Sequence, residues 1–261
     1  MRQEDGDFRG ASTSLLSAID TFPVSVDNIG GSSTLLLLGD HAGAAIPTAL
    51  KDLGLSDADR SRHIALDIGV AELGAELSKR LDAAFISQRY SRLVIDCNRP
   101  PTSETSIAQQ SDGTSVPGNI NLGREAARAR LTEIFQPYHA RIAAELDARA
   151  ERRQPTILFA LHSFTPVLDG ASRPWRYGVL HRNDSAFSRK MLAALRMLSG
   201  DVGDNQPYTM DDRDFTIPFH ADARGLDYLE LEVRQDLIGD ESGRCAVAAE
   251  LADALTRALQ S

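Results

Sequence analysis

The sequence predicts an α/β fold: a mixed, mainly parallel central sheet with helices on both faces. Three observations predict it. Strand-like apolar runs alternate with segments of helical periodicity, the order that builds a sheet covered by helices. Leu35 to Leu38 form a continuous apolar run, as expected of a strand buried on both faces. No linker interrupts the 261 residues, of which 42% are hydrophobic. The chain therefore reads as one domain over residues 1–261, with residues 1–30 as a partly irregular N-terminal extension.

The elements follow in order. Residues 34–38 form the first strand. Val70, Leu73, Leu77 and Leu81 fall on one helical face and predict a helix over 70–81. Strands are expected at 84–87 and 93–95. Residues 100–123 are rich in Pro, Ser, Thr, Asn and Gly, and so long a loop suggests a lid over a small pocket. A long helix follows over 124–153, with Pro137 expected to end or kink it. Residues 156–161, 177–180 and 228–233 read as strands, 187–198 and 246–259 as helices, and 200–219 as loop.

Composition excludes several roles. The formal net charge of −9 opposes nucleic-acid binding, which needs a positive footprint. It leaves room for a small anionic substrate, since clustered arginines override the average field locally. The first dozen residues mix acids and bases without an apolar core, so no secretory signal is expected, and no apolar run is long enough to cross a membrane. The only two cysteines, Cys97 and Cys245, lie far apart and outside any CxxC motif. The expectation is a cytoplasmic protein acting on a metabolite, with oligomeric state left open.

Chemistry-bearing residues follow the buried strands. TLLLLGD leads into His41, LVID into Asn98 and Arg99, TILFAL into His162, and YLELEV carries Glu232. Ligands of α/β sheets bind beyond the carboxyl ends of the strands, so two imidazoles, a guanidinium and a carboxylate are expected at one edge. Neutral imidazoles plus a carboxylate suit a catalytic zinc with an open position. A second carboxylate can move the proton, and a cation can stabilise the oxyanion. Each residue also has a plainer reading: His41 as a turn residue, His162 as a core histidine, Glu232 as the partner of Arg234, Arg99 as an exposed strand-end charge.

The segments HAGAAIP, LDIG around Asp67, SRLVIDCNRP, PGNINL, LHSFTPV with RPWRYGVL, VGDNQPY and LDYLELEVRQDLI resemble the N-formylglutamate amidohydrolase family, in particular its "N-formylglutamate amidohydrolase-like" subgroup. That family is related to zinc carboxypeptidases and aspartoacylase. The resemblance runs from about residue 35 to about residue 240 and implies a zinc-carboxypeptidase/phosphorylase-hydrolase-like fold. VIDCNRP is similar to the carboxypeptidase VDxNR element, which gives Arg99 the role of polarising the scissile carbonyl. LEVRQ is similar to the element carrying the catalytic glutamate, making Glu232 the general base and Arg234 a support. His41 and His162 match the two ligand histidines. The carboxypeptidase HxxE motif is missing, since Ala44 stands three residues after His41. Asp67 is the substitute third ligand and Asp40 the runner-up, although Asp67 could instead cap the helix from Val70.

The resemblance implies one zinc ion per chain and hydrolysis of the amide bond of a small N-acyl amino acid such as N-formylglutamate. A metallo-carboxypeptidase and a non-catalytic binding protein of the same fold are the alternatives. Asn98, Arg176, Arg182, Tyr208 and Arg213 are the substrate-binding candidates, with Arg92 and Arg173 also within plausible reach. Asn119 could be a turn residue and His220 a supporting or substrate contact. His63, His139 and His181 read as structural.

Overall fold

The computed structural model describes residues 14–182 and 185–260. The expectation for residues 1–13 of the N-terminal extension lies outside the described residues. Seven strands form the main sheet: β1 (Val24–Asp27), β2 (Leu35–Gly39), β3 (Ala84–Gln88), β4 (Ile157–Phe164), β5 (Tyr177–Leu180), β6 (Val202–Asp204) and β7 (Asp227–Arg234). They lie in the order β1-β3-β2-β4-β7-β5-β6. The four central strands are mutually parallel, β1 and β5 run antiparallel to their inner neighbours, and β6 is parallel to β5. The mixed, mainly parallel α/β sheet is thus the observed fold.

Alternation along the strands divides the core into two layers. Leu35, Leu37, Phe159, Leu161, Leu229 and Leu231 pack with α1 (Val70–Leu81), α4 (Ala186–Leu198) and α6 (Glu241–Gln260). Leu36, Leu38, Leu158, Ala160 and Tyr228 face the other side, against α3 (Gln136–Glu151) and the buried segment around Val94. The second side carries the site: counting by twos along β2, β4 and β7 leads to Asp40, His162 and Glu232.

Residues 93–95 are buried but form no strand. The Leu93 carbonyl accepts from Asn119 Nδ2 at 2.9 Å and the Val94 carbonyl from Arg130 Nη1 at 2.9 Å. Side chains therefore satisfy the backbone that a sheet ladder would otherwise serve. Arg130 belongs to α2 (Arg124–Arg130) and is wholly buried, its pKa lowered to about 10 by desolvation. Pro137 does not end the long helix. One π turn, Leu131–Phe135, joins α2 to α3 just before the proline, and this locally widened turn takes up the irregularity that a proline imposes on a continuous helix.

Strands β1 and β6 and the short helix α5 (Thr216–His220) arise where periodicity gave no signal. They are too short, at four, three and five residues, to display a period.

Candidate active site

His41 lies just beyond β2, in a turn pressed against the chain after β3. A Cβ on Gly43 would come within 2.0 Å of the Arg89 carbonyl, which accepts from the Ala45 amide at 3.0 Å. Glycine is required for that approach. The His41 carbonyl in turn accepts from the Asp67 amide at 2.9 Å. The α1 N-cap is Gly69, at φ +81°, and the Val70 amide bonds the Asp67 backbone carbonyl. The Asp67 carboxylate is therefore not a helix cap and points to the histidines.

His41 Nδ1 and His162 Nδ1 approach Asp67 Oδ2 at 3.4 and 2.9 Å, and the two rings lie 5.0 Å apart between centroids. One donor atom from each of His41, Asp67 and His162 lies within 4.8 Å of the other two. The opposite nitrogens face further carboxylates: His41 Nε2 is 2.7 Å from Asp96 Oδ1, and His162 Nε2 is 3.5 Å from Asp40 Oδ2. A carboxylate behind each imidazole is the arrangement that orients metal-ligating histidines.

These groups are buried, and several remain unsatisfied. Among the described residues, His41 Nδ1, Asp40 Oδ2, His162 Nε2 and Glu232 Oε2 have no hydrogen-bond partner. Burial opposes charging of Asp67, but His41 and His162 outweigh it and hold the carboxyl well below its usual range. Burial likewise opposes protonation of His162, while Asp40 and Asp67 raise its pKa well above the ordinary value. The convergence of two imidazoles and a carboxylate, with unsatisfied buried atoms, fits a divalent metal ion.

Glu232 pairs in register with His162 across the parallel β4–β7 ladder. Burial pushes its carboxyl up to about 7, with Asp67 adding to burial and His162 opposing it. Arg92 braces the centre, its Nη2 2.7 Å from Asp96 Oδ2 and its Nη1 3.5 Å from Asp67 Oδ1.

A cavity of about 210 Å³ opens over this group. Asn98, Arg99, Tyr208 and Arg213 line it together with Glu232 and the histidines. Asn98 Oδ1 accepts from the Phe215 and Thr216 amides, both at 2.9 Å, and so anchors the start of α5. Arg99 Nη1 bonds the Asn98 carbonyl at 2.8 Å and lies 3.4 Å from Asp214 Oδ1. Tyr208 Oη accepts from Arg173 Nη1 at 2.7 Å, and the Arg173 guanidinium sits over the Tyr208 ring. Arg213 stands at the mouth, paired with Asp211.

Arg176 and Arg182 do not line this cavity. Arg176 Nη2 reaches Glu250 on α6 at 3.1 Å, and Arg182 Nη2 bonds the Asp211 carbonyl at 3.1 Å. His220 is buried against His139, at 3.0 Å between ring nitrogens, and His181 pairs with Asp204. Asn119 serves the buried loop through Leu93 and Arg130. Arg234 bonds Asp236 and the Pro174 carbonyl.

The expected lid over 100–123 is corrected: none of its residues lines the cavity, and the cover comes from Tyr208, Thr209, Asp211, Arg213 and Asp214. The loop is held aside by the Asn119 and Arg130 bonds to 93–94. His63, read as structural, lies in the cavity wall instead. Sequence reasoning also passed over Asp96, Asp214 and Glu230. Glu230 had a signal, because two-residue alternation in YLELEV puts it on the same face as Glu232.

Fold and site together define a class: α/β proteins with a metal-capable His-Asp-His cluster at the carboxyl ends of a mainly parallel sheet. The family model for N-formylglutamate amidohydrolase matches residues 33–239. The chain belongs to the N-formylglutamate amidohydrolase family. It is 29% identical over 144 residues to the N-formylglutamate deformylase of Pseudomonas putida, covering 51% of this chain and 52% of that protein. The matched region thus spans about half the length of that relative. A gene product of Agrobacterium tumefaciens superposes with a TM-score of 0.91 at 34% identity, covering 94% of this chain and 98% of its own. The N-formylglutamate amidohydrolase of Ralstonia eutropha shares the fold, with a TM-score of 0.67 at 16% identity over 92% and 98% of the two chains.

Proposed function

We propose that this protein hydrolyses the amide bond of a small N-acyl, in particular N-formyl, amino acid, the class to which N-formylglutamate belongs. The observation that carries the reading is the meeting of His41, Asp67 and His162 within 4.8 Å, beside a Glu232 in register with His162. His41, Asp67 and His162 would hold one zinc ion, the metal that two imidazoles and a carboxylate suit best. Bound there, the ion supplies a water of lowered pKa and polarises a carbonyl.

The chain's own groups do the rest. Glu232 accepts a proton from the attacking water and delivers it to the amide nitrogen as the C–N bond breaks, releasing a carboxylate and an amine. A carboxyl poised at about 7 suits both halves of that transfer. Arg99, between Asn98 and Asp214, stabilises the charge developing on the carbonyl oxygen. Asp96 and Asp40 hold the imidazoles in one orientation, and the 208–214 cover limits water.

A cavity of about 210 Å³ favours a small metabolite over a peptide or cell-wall fragment, since sites for drug-sized ligands run from about 300 Å³ upward. Unpaired Cys97 and Cys245 fit a reducing, cytoplasmic setting. No helix among the described residues is long and apolar enough to cross a membrane.

The test has two parts: metal content of the native protein, then turnover of a panel of N-formyl and N-acetyl amino acids before and after chelation. One zinc per chain with chelator-sensitive deformylation is the expected result. Native protein without stoichiometric metal and without turnover would favour a binding protein of the same fold.

A further inference from the structure

The cavity contains a second buried acid that the proposed mechanism does not use. Glu230 lies on β7 two residues before Glu232, on the same face of the strand, and is only 2% exposed. Its in-register neighbours are Ala160 on β4 and Leu180 on β5, and neither side chain can donate to it. Among the described residues its Oε2 has no hydrogen-bond partner, although the side chain lines the cavity. The arginines nearby are committed elsewhere, Arg92 to Asp96 and Asp67, Arg99 to Asp214. Burial, reinforced by Asp214, pushes the Glu230 carboxyl up to about 8, so it keeps its proton near neutral pH.

A carboxylic acid that keeps its proton is a hydrogen-bond donor, and an anion is its strongest acceptor. Neutrality also decides what the cavity admits. In its lining Asp67, Asp211 and Asp214 offset Arg92, Arg99 and Arg213. An ionised Glu230 would tip that balance against an anion, whereas a protonated one leaves it even. Glu230 and Glu232 are one strand repeat apart, roughly 6.6 Å, a span that an acidic side chain can bridge from its own amide nitrogen. With the scissile amide at Glu232 in a cavity of about 210 Å³, the far end of such a side chain meets Glu230.

We propose that Glu230, as a neutral carboxylic acid, donates its O–H to the side-chain carboxylate of the substrate and so selects an acidic N-acyl amino acid. This deepens the proposed amide hydrolysis and rests on it for the position of the scissile bond. The Glu230 proton stays within that hydrogen bond, and no covalent bond forms or breaks there. A ligand without the carboxylate leaves a buried donor with no acceptor, and that penalty is the source of the discrimination.

Binding tests this separately from catalysis. N-formyl-L-glutamate and N-formyl-L-norvaline, which lacks the distal carboxylate, are titrated calorimetrically into zinc-loaded Glu232→Gln protein, which cannot run the proton transfer. The glutamate derivative should bind at least about tenfold more tightly, the scale of one charge-assisted hydrogen bond. Adding Glu230→Gln, which keeps a neutral donor in the same place, should hold that preference within about threefold. Adding Glu230→Met keeps the bulk, removes the donor and should abolish the preference while norvaline binding stays the same. Glu230→Leu gives that readout should the Glu230→Met protein fail to fold. An ionised Glu230 would repel the ligand, so glutamate binding that tightens about tenfold or more with Glu230→Gln overturns the proposal. Loss of the preference with Glu230→Gln also overturns it, as does a preference that survives Glu230→Met or equal binding of the two ligands at the outset. Wild-type turnover of N-formylglutamate with a preference indifferent to position 230 would sink this inference and leave the hydrolase reading standing. A preference that depends on Glu230, without turnover of either compound, would do the reverse.

Discussion

At the scale of single residues, the site depends on a few groups whose surroundings assign them different work. Glu232 and Asp67 are both buried carboxylates, yet two imidazoles hold Asp67 ionised while burial lifts Glu232 to about 7. One is suited to a ligand and the other to a proton carrier. Glu232→Gln should therefore reduce kcat by about 10²-fold or more while metal content stays at the wild-type value. A variant that loses metal in parallel with activity would show that Glu232 is a ligand instead. Legibility in the sequence follows the same division. His41, His162 and Glu232 could be singled out because each follows a buried strand or lies near its end, and Arg99 because it follows the buried apolar run 93–95. Asp96 and Asp40 could not be assigned behind their histidines, because contacts spanning 55 and 122 positions leave no mark on local spacing. Arg176 lies beside a strand in the sequence, but spacing does not reveal that Glu250 on α6 claims it.

At the scale of elements, backbone approach and carbonyl satisfaction decide what the chain can tolerate. The His41 turn survives only because Gly43 leaves room for the Arg89 carbonyl. Gly43→Ala should cost about 1–3 kcal/mol, the usual range for overpacking, and lower the melting temperature by several degrees with a loss of metal affinity. Unchanged melting would mean that the turn relaxes freely. Arg130 presents a different dependence, since its guanidinium bonds the Val94 carbonyl and Asn119 Oδ1. Arg130→Met keeps the bulk and strands those acceptors, at about 1–3 kcal/mol each. The denaturant midpoint should fall accordingly, and hydrogen exchange should rise first around residues 93–119. The strand expected at 93–95 failed for this reason: an apolar run reports burial, while its hydrogen-bond partners are chosen elsewhere. Longer elements, such as α1 and α4, were legible because a dozen residues suffice to display a period.

At the scale of the whole molecule, acid should weaken the fold through His139 and His220. Burial lowers these imidazoles to about 4 and about 3, from an ordinary 6.5. As pH falls through 6.5 the unfolded chain protonates these two imidazoles while the folded chain refuses, so their contribution to stability declines toward pH 4. Groups raised in the folded chain, His41, His162, Glu230 and Glu232, act in the opposite sense, because the folded form holds their protons at a pH where the unfolded form has released them. In metal-free protein, the melting temperature of His220→Gln should gain on that of the wild type as pH falls from 7 to 4.5. Parallel pH profiles for the two proteins would contradict the burial of that pair. The α/β class was readable at this scale because alternation of apolar runs survives errors in individual boundaries. The order of the strands was not readable, since β5 and β6 are added beyond β7 by pairings that no local pattern encodes.

The shared face of Glu230 and Glu232 on β7 constrains how the chain can change length. A single inserted or deleted residue upstream in that strand would rotate both acids together into the aliphatic layer and bring Leu229 or Leu231 up beneath the cavity. Neither acid can be repositioned alone by such an event, so gain or loss of residues in β7 must come in pairs or not at all. The loops at either end of the strand have no such parity, and variation in chain length should collect there.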